Sequence, residues 1–263
     1  MTSQRVDQVL VARGLAPSRS AAQRLVQAGV VWVQCPDEAP ALITKAGLQI
    51  EQGHLLIVSN DAELRYVSRA GLKLEKALDE FSISPSGLIV LDVGQSTGGF
   101  TDCLLRCGAR YVVGVDVGHS QLHESLKINP NVQCFEKLNI RDAQTIKLLR
   151  QSAQIHGCDH GTYPLACVDV SFVSLFKVLP TVRQLLGDQA DCIALFKPQF
   201  EVGRQGLNKA GIVRNDSLID QARLAFAAQL QGAGFSMQAM IDSPIRGSDG
   251  NTEFLYHLKT IDK

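Results

Sequence analysis

Two hydrophobic patterns divide the chain. Near the N-terminus apolar residues recur at helical spacing, with Val6, Leu10 and Val11 on one face and Gly14 as the stop. Ser18 and Ser20 are placed to cap a second helix that carries Ala21, Leu25 and Val26 and ends at Gly29. Short β-rich pieces follow at Val30–Val33, Leu48–Ile50 and Leu55–Val58, separated by the turn residues Pro36, Asp37, Pro40 and Gly53. Two short helices and a few strands make a small core, so residues 1–60 read as an appended module. A linker at 61–66 and a larger domain at 67–263 complete the expected organisation.

From Val67 the pattern changes. A helix is expected over Val67–Phe81, followed by the apolar run Leu88–Val93 between Gly87 and Gly94. Similar runs occur at Tyr111–Val117, Val132–Phe135, Leu165–Val170 and Cys192–Phe196. Helical segments alternate with them at Phe100–Cys107, Asp142–Gln154 and Ser174–Leu186. Near-continuous apolar strands between helices predict a parallel sheet covered on both faces, an α/β fold. After a last helix at Ser217–Gly232, the stretches Phe235–Ile241 and Phe254–Leu258 predict a terminal antiparallel pair. No internal repeat or low-complexity segment interrupts the pattern.

Composition narrows the function classes. With 45% hydrophobic and 20% charged residues the chain is globular, not disordered. No apolar run reaches the roughly 18 residues of a membrane span, and the first residues lack the apolar core of a secretory signal. Seven cysteines, an odd number with no CxxC pair, predict reduced thiols and a cytoplasmic protein. The 26 basic and 26 acidic residues cancel, so any RNA partner must be met by local charge. Residues 1–24 hold Arg5, Arg13, Arg19 and Arg24 against Asp7, a surplus of 4 − 1 = +3. That surplus suits a phosphate-binding face, or equally a solvated helical surface.

The chemistry concentrates at expected strand ends. The first strand of the domain ends in Asp92-Val-Gly94-Gln-Ser96-Thr97-Gly98-Gly99-Phe100. A glycine turn ahead of a helix lets a ligand approach the backbone, and the helix N-terminus favours an anionic group. Asp116 ends the next strand, 22 positions after Gly94, where a ribose-binding acid belongs. Ser96 replaces the middle glycine of the dinucleotide fingerprint. Asp92 suits a ligand with a cationic end, so the loop favours S-adenosylmethionine over NAD, with an ordinary tight turn as the alternative. Asp169 and Lys197 follow the fourth and fifth strands, beside this loop. They could equally form a structural ion pair. Lys73 extends a basic series with Arg65 and Arg69 at helical spacing, and Glu253 opens the last strand. Each of these two, taken singly, reads as a surface charge.

Methylating an alcohol supplies a reason for two lysines and two acids together. A ribose hydroxyl attacks a sulfonium methyl well only as its proton leaves. A lysine takes that proton only where burial or a second ammonium weakens its hold on its own. Carboxylates then orient the lysines, and no metal is needed.

With those residues in place, the sequence resembles the TlyA (hemolysin A) family of ribosomal-RNA cytidine 2′-O-methyltransferases, whose catalytic domain is FtsJ-like. The matching segments are SRAGLKLEKALDEF (68–81), LDVGQSTGGFTDCLL (91–105), VVGVDVGHSQL (112–122), DVSFVSLFKVLP (169–180), KPQFEVG (197–203), KAGIVR (209–214) and GNTEF (250–254). They cover nearly all of 68–254. The first 60 residues resemble the alpha-L RNA-binding module of pseudouridine synthases and a small-subunit ribosomal protein. The resemblance implies a Rossmann-like methyltransferase sheet, mostly parallel with a terminal antiparallel strand, behind a small α+β RNA-binding module. It implies S-adenosylmethionine as cofactor and a Lys-Asp-Lys-Glu tetrad falling on Lys73, Asp169, Lys197 and Glu253. Lys197 would accept the proton, Asp169 would orient it, and Lys73 and Glu253 would tune charge and position the ribose. The cofactor would meet Gly94 through Phe100, Asp116 and Asn139. The sequence departs from the family pattern at Gln95, at the inverted pair Ala70-Gly71 and at Ala210.

The pairs His119/His123 and His156/His160 around Cys158 have a spacing that could suggest zinc, but no CxxC or HExxH context accompanies them. Cys103, Cys107 and Trp32 read as packing. The expectation is thus a cytoplasmic enzyme acting on ribosomal RNA or ribosomal subunits, with Arg5, Arg13, Arg19, Arg24, Arg65 and Arg69 gripping the RNA, and with neither metal nor membrane involved. Two other classes stand beside it: an RNA-binding assembly factor with an inactive methyltransferase fold, and a membrane-active hemolysin.

Overall fold

The structure, a computed structural model, describes residues 3–35, 39–51, 53–59, 64–247 and 249–262. Pro36, Asp37 and linker positions 61–63 lie outside the described residues. The chain forms two compact units, 1–69 and 70–263.

In the first unit, β1 (Ser3–Arg5) leads into α1 (Val6–Ala12) and α2 (Arg19–Gln27). Gly14 and Gly29 follow these helices with φ of 70° and 71°, the left-handed conformation that suits glycine after a helix end. The Ser18 hydroxyl caps α2 by accepting from the Ala21 N–H, while Ser20 lies inside the helix. β2 (Val31–Gln34), β3 (Ala41–Leu42), β4 (Gln49–Glu51) and β5 (Leu55–Val58) complete the unit. β2 sits between β3 and β5 in an antiparallel sheet, and β4 pairs with β1. Val6, Leu10, Leu25, Val31, Ile43 and Leu56 build its core.

The second unit begins with α3 (Ala70–Glu80), three residues later than the apolar pattern suggests. Arg65 through Arg69 lie in bends, so Arg65, Arg69 and Lys73 do not form one helical stripe. Ser68 favours a position ahead of a helix over its interior, which suits that late start. Then come β6 (Ile89–Val93), α4 (Gly99–Arg106), β7 (Tyr111–Val115), α5 (Glu124–Lys127), β8 (Val132–Phe135) and α6 (Ala143–Ile155). β9 (Tyr163–Val168), α7 (Leu179–Leu185), β10 (Leu186–Phe196), α8 (Asp216–Gln229), β11 (Phe235–Asp242) and β12 (Phe254–Thr260) follow. The expected helix at Ser174–Leu186 divides into a 3-10 turn, Leu175–Lys177, and α7. Pro180, lacking an N–H, is confined to the first turn of α7.

The seven strands lie in the order β11-β12-β10-β9-β6-β7-β8. Neighbours from β10 to β8 run parallel, and β12 alone is reversed, wedged antiparallel between β10 and β11. β6 is buried at all five positions, as a strand covered on both faces must be. Ile89, Leu91 and Val93 join a core with Leu149, Leu179, Val182 and Phe226 from the helices. The chain leaves β6 for β7 on one side and returns to β9 on the other. That switch opens a crevice at the strands' carboxyl ends.

Candidate active site

The crevice holds a cavity of about 530 Å³, within the range of small-ligand sites. Its walls come from four consecutive strand ends: Val93, Gly94 and Ser96 after β6, Val115 to Gly118 after β7, Leu138 to Arg141 after β8, and Asp169 to Val173 after β9. Gly94 has φ 86°, and a Cβ there would stand 2.2 Å from the Asp169 carbonyl oxygen. Only glycine lets the ends of β6 and β9 approach so closely.

Asp116 is held in place by the chain itself. Its two carboxylate oxygens accept from the Ser96 N–H at 2.8 Å and the Gly118 N–H at 2.6 Å. Each oxygen retains a second lone pair toward the cavity it lines. Asn139 lines the cavity, and its side-chain oxygen accepts from the Arg141 N–H. Of the other loop residues expected at the cofactor, Asp92, Thr97, Gly98, Gly99 and Phe100 are not in the cavity wall. Asp92 belongs to β6, Thr97 and Gly98 to the turn, and Gly99 and Phe100 open α4. Gly98, φ 91°, packs where a Cβ would strike Leu126 and Leu122, and Phe100 is buried in α4.

Asp92 is fully buried, and its Oδ2 accepts from Thr101 Oγ1 at 2.6 Å. Gln95 also turns inward, donating from Nε2 to the same Thr101 oxygen at 2.8 Å. Asp92 Oδ1 and Gln95 Oε1 are buried with no hydrogen-bond partner. Burial, together with the negative charges of Asp169 and Asp116 and against the Thr101 hydrogen bond, raises the Asp92 carboxyl to about 7. Cavity size, a glycine turn with no room for a Cβ and an unsatisfied acid behind it fit a nucleoside ligand that carries a cationic tail.

Two ion pairs stand at the same end of the sheet. Lys197 Nζ lies 2.5 Å from Asp169 Oδ1 and donates to Ser171 Oγ at 3.0 Å. Lys73, on α3, donates to Glu253 Oε2 at 2.5 Å, both side chains being almost wholly buried. The sheet register brings the pairs together: Phe196 opposes Phe254, so one step further Lys197 opposes Glu253. A Cβ on Gly247 would stand 2.6 Å from Glu253 Oε1, so glycine at this position leaves the room that the acid occupies. Asp169 and Ser171 line the cavity, which places the Lys197 pair at its wall.

Sequence reasoning missed Ser171 and Phe172. Phe172 is 92% exposed at the cavity mouth, has φ 63°, and lies 5.3 Å from the Phe200 ring. A bulky residue in that conformation is strained and uncommon. The available signal was position, since both residues directly follow the strand end that bears Asp169.

In the N-terminal unit Arg5 and Arg19 both pair with buried Asp7, at 2.9 and 3.1 Å, and the hydrogen bond from Arg5 holds that carboxyl below its usual range against the cost of burial. Their side chains remain 40% and 55% exposed. Arg13 donates to the His54 carbonyl. Among the described residues no cluster suited to a metal ion occurs, and no helix is long and apolar enough to cross a membrane.

Comparison with known proteins gives concordant matches. The FtsJ-like methyltransferase family matches residues 66–260, and the S4 domain matches residues 4–34. A Bacillus subtilis protein provisionally named as an rRNA methyltransferase, YqxC, is 41% identical over 98% of this chain and 87% of its own length. The 16S/23S rRNA (cytidine-2′-O)-methyltransferase TlyA of Mycobacterium tuberculosis is 38% identical over 97% of this chain and 90% of its own. A solved structure of a hemolysin-named protein from Streptococcus thermophilus superposes with a TM-score of 0.73 at 39% identity, covering 100% of this chain and 90% of that one.

Proposed function

The chain belongs to the FtsJ-like methyltransferase family, whose cofactor is S-adenosylmethionine, and from that premise we propose that it methylates the ribose 2′-hydroxyl of a cytidine in ribosomal RNA, with Lys197 taking the hydroxyl's proton. The contact that carries this reading is the Lys197–Asp169 pair, whose acid lies in the wall of the cofactor cavity. Bound S-adenosylmethionine supplies a methyl group on a cationic sulfur. The glycine turn at Gly94 admits the ligand, Asp116 accepts from its ribose hydroxyls, and Asn139 borders its base.

Ser171 orients the Lys197 amine, and Asp169 stabilises the ammonium that forms when the 2′-hydroxyl gives up its proton. Lys73 and Glu253, paired with each other beside Lys197 in the sheet register, balance charge there and help to position the ribose. Phe172 presents an aromatic face at the mouth, suited to stacking a base drawn out of the RNA.

Recognition of RNA is divided. In the N-terminal unit the exposed parts of Arg5 and Arg19 offer donors to phosphate. In the catalytic unit residues 202–215 contain Arg204, Lys209 and Arg214 and no acid. All three are exposed, and none has a carboxylate partner among the described residues.

The test is Lys197→Ala. Methyl transfer to ribosomal subunits is expected to fall about 10²- to 10⁴-fold, the usual worth of a positioned base, while calorimetry still records S-adenosylmethionine binding. Full activity in this variant would refute the role of Lys197. Mass spectrometry of rRNA from a deletion strain and its parent identifies the nucleotide. An unchanged rRNA methylation map would sink the substrate assignment.

A further inference from the structure

Three carboxylates crowd the carboxyl ends of the central strands: Asp92 in β6, Asp116 after β7 and Asp169 after β9. Two of them are answered. Backbone N–H groups hold Asp116, and Lys197 pairs with Asp169. Asp92 is answered on one side only, by Thr101.

The surroundings of its other oxygen decide what state it is in. Asp92 lies opposite Gly114 on β7. The Gln95 carboxamide fills the space beside Gly114, its atoms 2.0 to 2.3 Å from where a Cβ would stand. Gln95 Oε1 and Asp92 Oδ1, both buried and both without a donor, therefore flank the same small region. In the chain Gln95–Thr101–Asp92 one Gln95 N–H goes to Thr101 and the Thr101 hydroxyl goes to Asp92 Oδ2, and no donor reaches Asp92 Oδ1 or Gln95 Oε1. Leaving two buried acceptors unsatisfied, one of them charged, is costly. A single proton on Asp92 Oδ1 supplies the missing donor and removes the charge.

The Thr101 backbone N–H also favours the carboxylate, yet no group among the described residues donates to Oδ1. Toward β7 and β8 stand Asp116, an anion, and the Cys134 thiol, which burial keeps protonated up to about 12. Toward β9 stand Asp169 and the Cys167 thiol, the latter directly opposite Asp92 and pushed well above its usual range by burial. From α4 come Thr101 and the buried Cys103. The nearby cation, Lys197, is engaged by Asp169. Burial and the two anions hold the Asp92 carboxyl near 7.

We propose that Asp92 is protonated in the cofactor-free protein and releases that proton as the cationic methyl donor binds, so that the site holds the charged donor more tightly than the product that has lost the sulfonium charge. This rests on the cofactor reading above. The carboxyl O–H bond breaks, its electron pair stays on Oδ1, and the proton passes to buffer. After methyl transfer the ligand carries one positive charge fewer, and the acid takes a proton back. The product then leaves a site that no longer needs it as a counter-charge. Gln95, a departure from the usual small residue in this loop, holds the proton by accepting from Oδ1–H.

Titration calorimetry of the full chain with S-adenosylmethionine, in buffers of low and high ionisation enthalpy, reads the proton directly. Close to one proton per cofactor is expected at pH 6 and almost none at pH 8.5, with affinity rising about tenfold per pH unit below 7. S-adenosylhomocysteine should release markedly fewer. Asp92→Asn should abolish the release, and Gln95→Ala should move it to lower pH by removing the acceptor. Should Asp92→Asn fail to fold, the wild-type buffer series and Gln95→Ala decide alone. A buffer-independent enthalpy at pH 6 would overturn the proposal while leaving the cofactor reading intact. Equal release by donor and product would overturn the charge discrimination, and no binding at any pH would overturn both readings.

Discussion

At the scale of single residues, the site depends on polar groups held where water cannot compensate them. Asp92 gives this a thermodynamic signature. Its carboxyl titrates near 7 when folded and near 3.8 in a model peptide. The folded state thus binds the extra proton, and its stability is full below about pH 4 and declines as pH rises to 7. Asp92→Asn, which carries its own donor, is expected to remove that slope. At pH 8 it should leave the variant more stable by up to about 4 kcal/mol, about three units at 1.36 kcal/mol each. Urea denaturation of both proteins at pH 5 and pH 8, without cofactor, checks this; equal slopes would contradict it. Phe172 makes a second case. Asparagine tolerates positive φ, so Phe172→Asn is expected to raise stability by roughly 1 kcal/mol while raising KM for the RNA. A variant that gains stability and keeps its KM would show that the ring serves no substrate.

At the scale of elements, two junctions position the chemistry. The ends of β6 and β9 touch at Gly94, where a Cβ would meet backbone that cannot move aside. Gly94→Ala is therefore expected to force the strand ends apart and abolish cofactor binding in calorimetry, with a lowered melting temperature. In the N-terminal unit Asp7 joins β1, α1 and α2 through Arg5, Arg19 and Gln23. Its carboxyl is held below its usual range, so the stability it contributes is present above about pH 4 and lost as pH falls below that. Asp7→Asn should cost about 1–2 kcal/mol at neutral pH, a modest figure because both arginines face solvent. A neutral-pH Tm matching the parent would argue against it.

At the scale of the whole molecule, a chain of zero net charge can bind RNA only through local concentrations of basic residues. Replacing Arg204, Lys209 and Arg214 by glutamine is expected to weaken RNA binding and lower the salt slope of its affinity by about one per lost phosphate contact. Binding measured across 50–300 mM salt tests this, and an unchanged slope would remove the 202–215 segment from the interface. Much of the architecture was legible beforehand. Apolar runs such as Ile89–Val93 announce strands buried on both faces, because a parallel sheet under two helical layers tolerates nothing else. The Asp92–Gly98 turn, Asp116, Asp169 and Lys197 could be placed at the carboxyl ends of those strands for the same reason. Lys73 and Glu253 could not be paired without a family resemblance, since 180 residues separate them. Their meeting depends on the reversed β12 wedging beside β10, a matter of register that local periodicity does not encode. The inward turn of Gln95, the unsatisfied oxygen of Asp92 and the exposed ring of Phe172 were likewise decided only in three dimensions. Which side of a strand end faces ligand and which faces core is set by neighbouring strands brought in from far along the chain. Residue type and spacing, by contrast, specify the element and the end of the sheet where it stops.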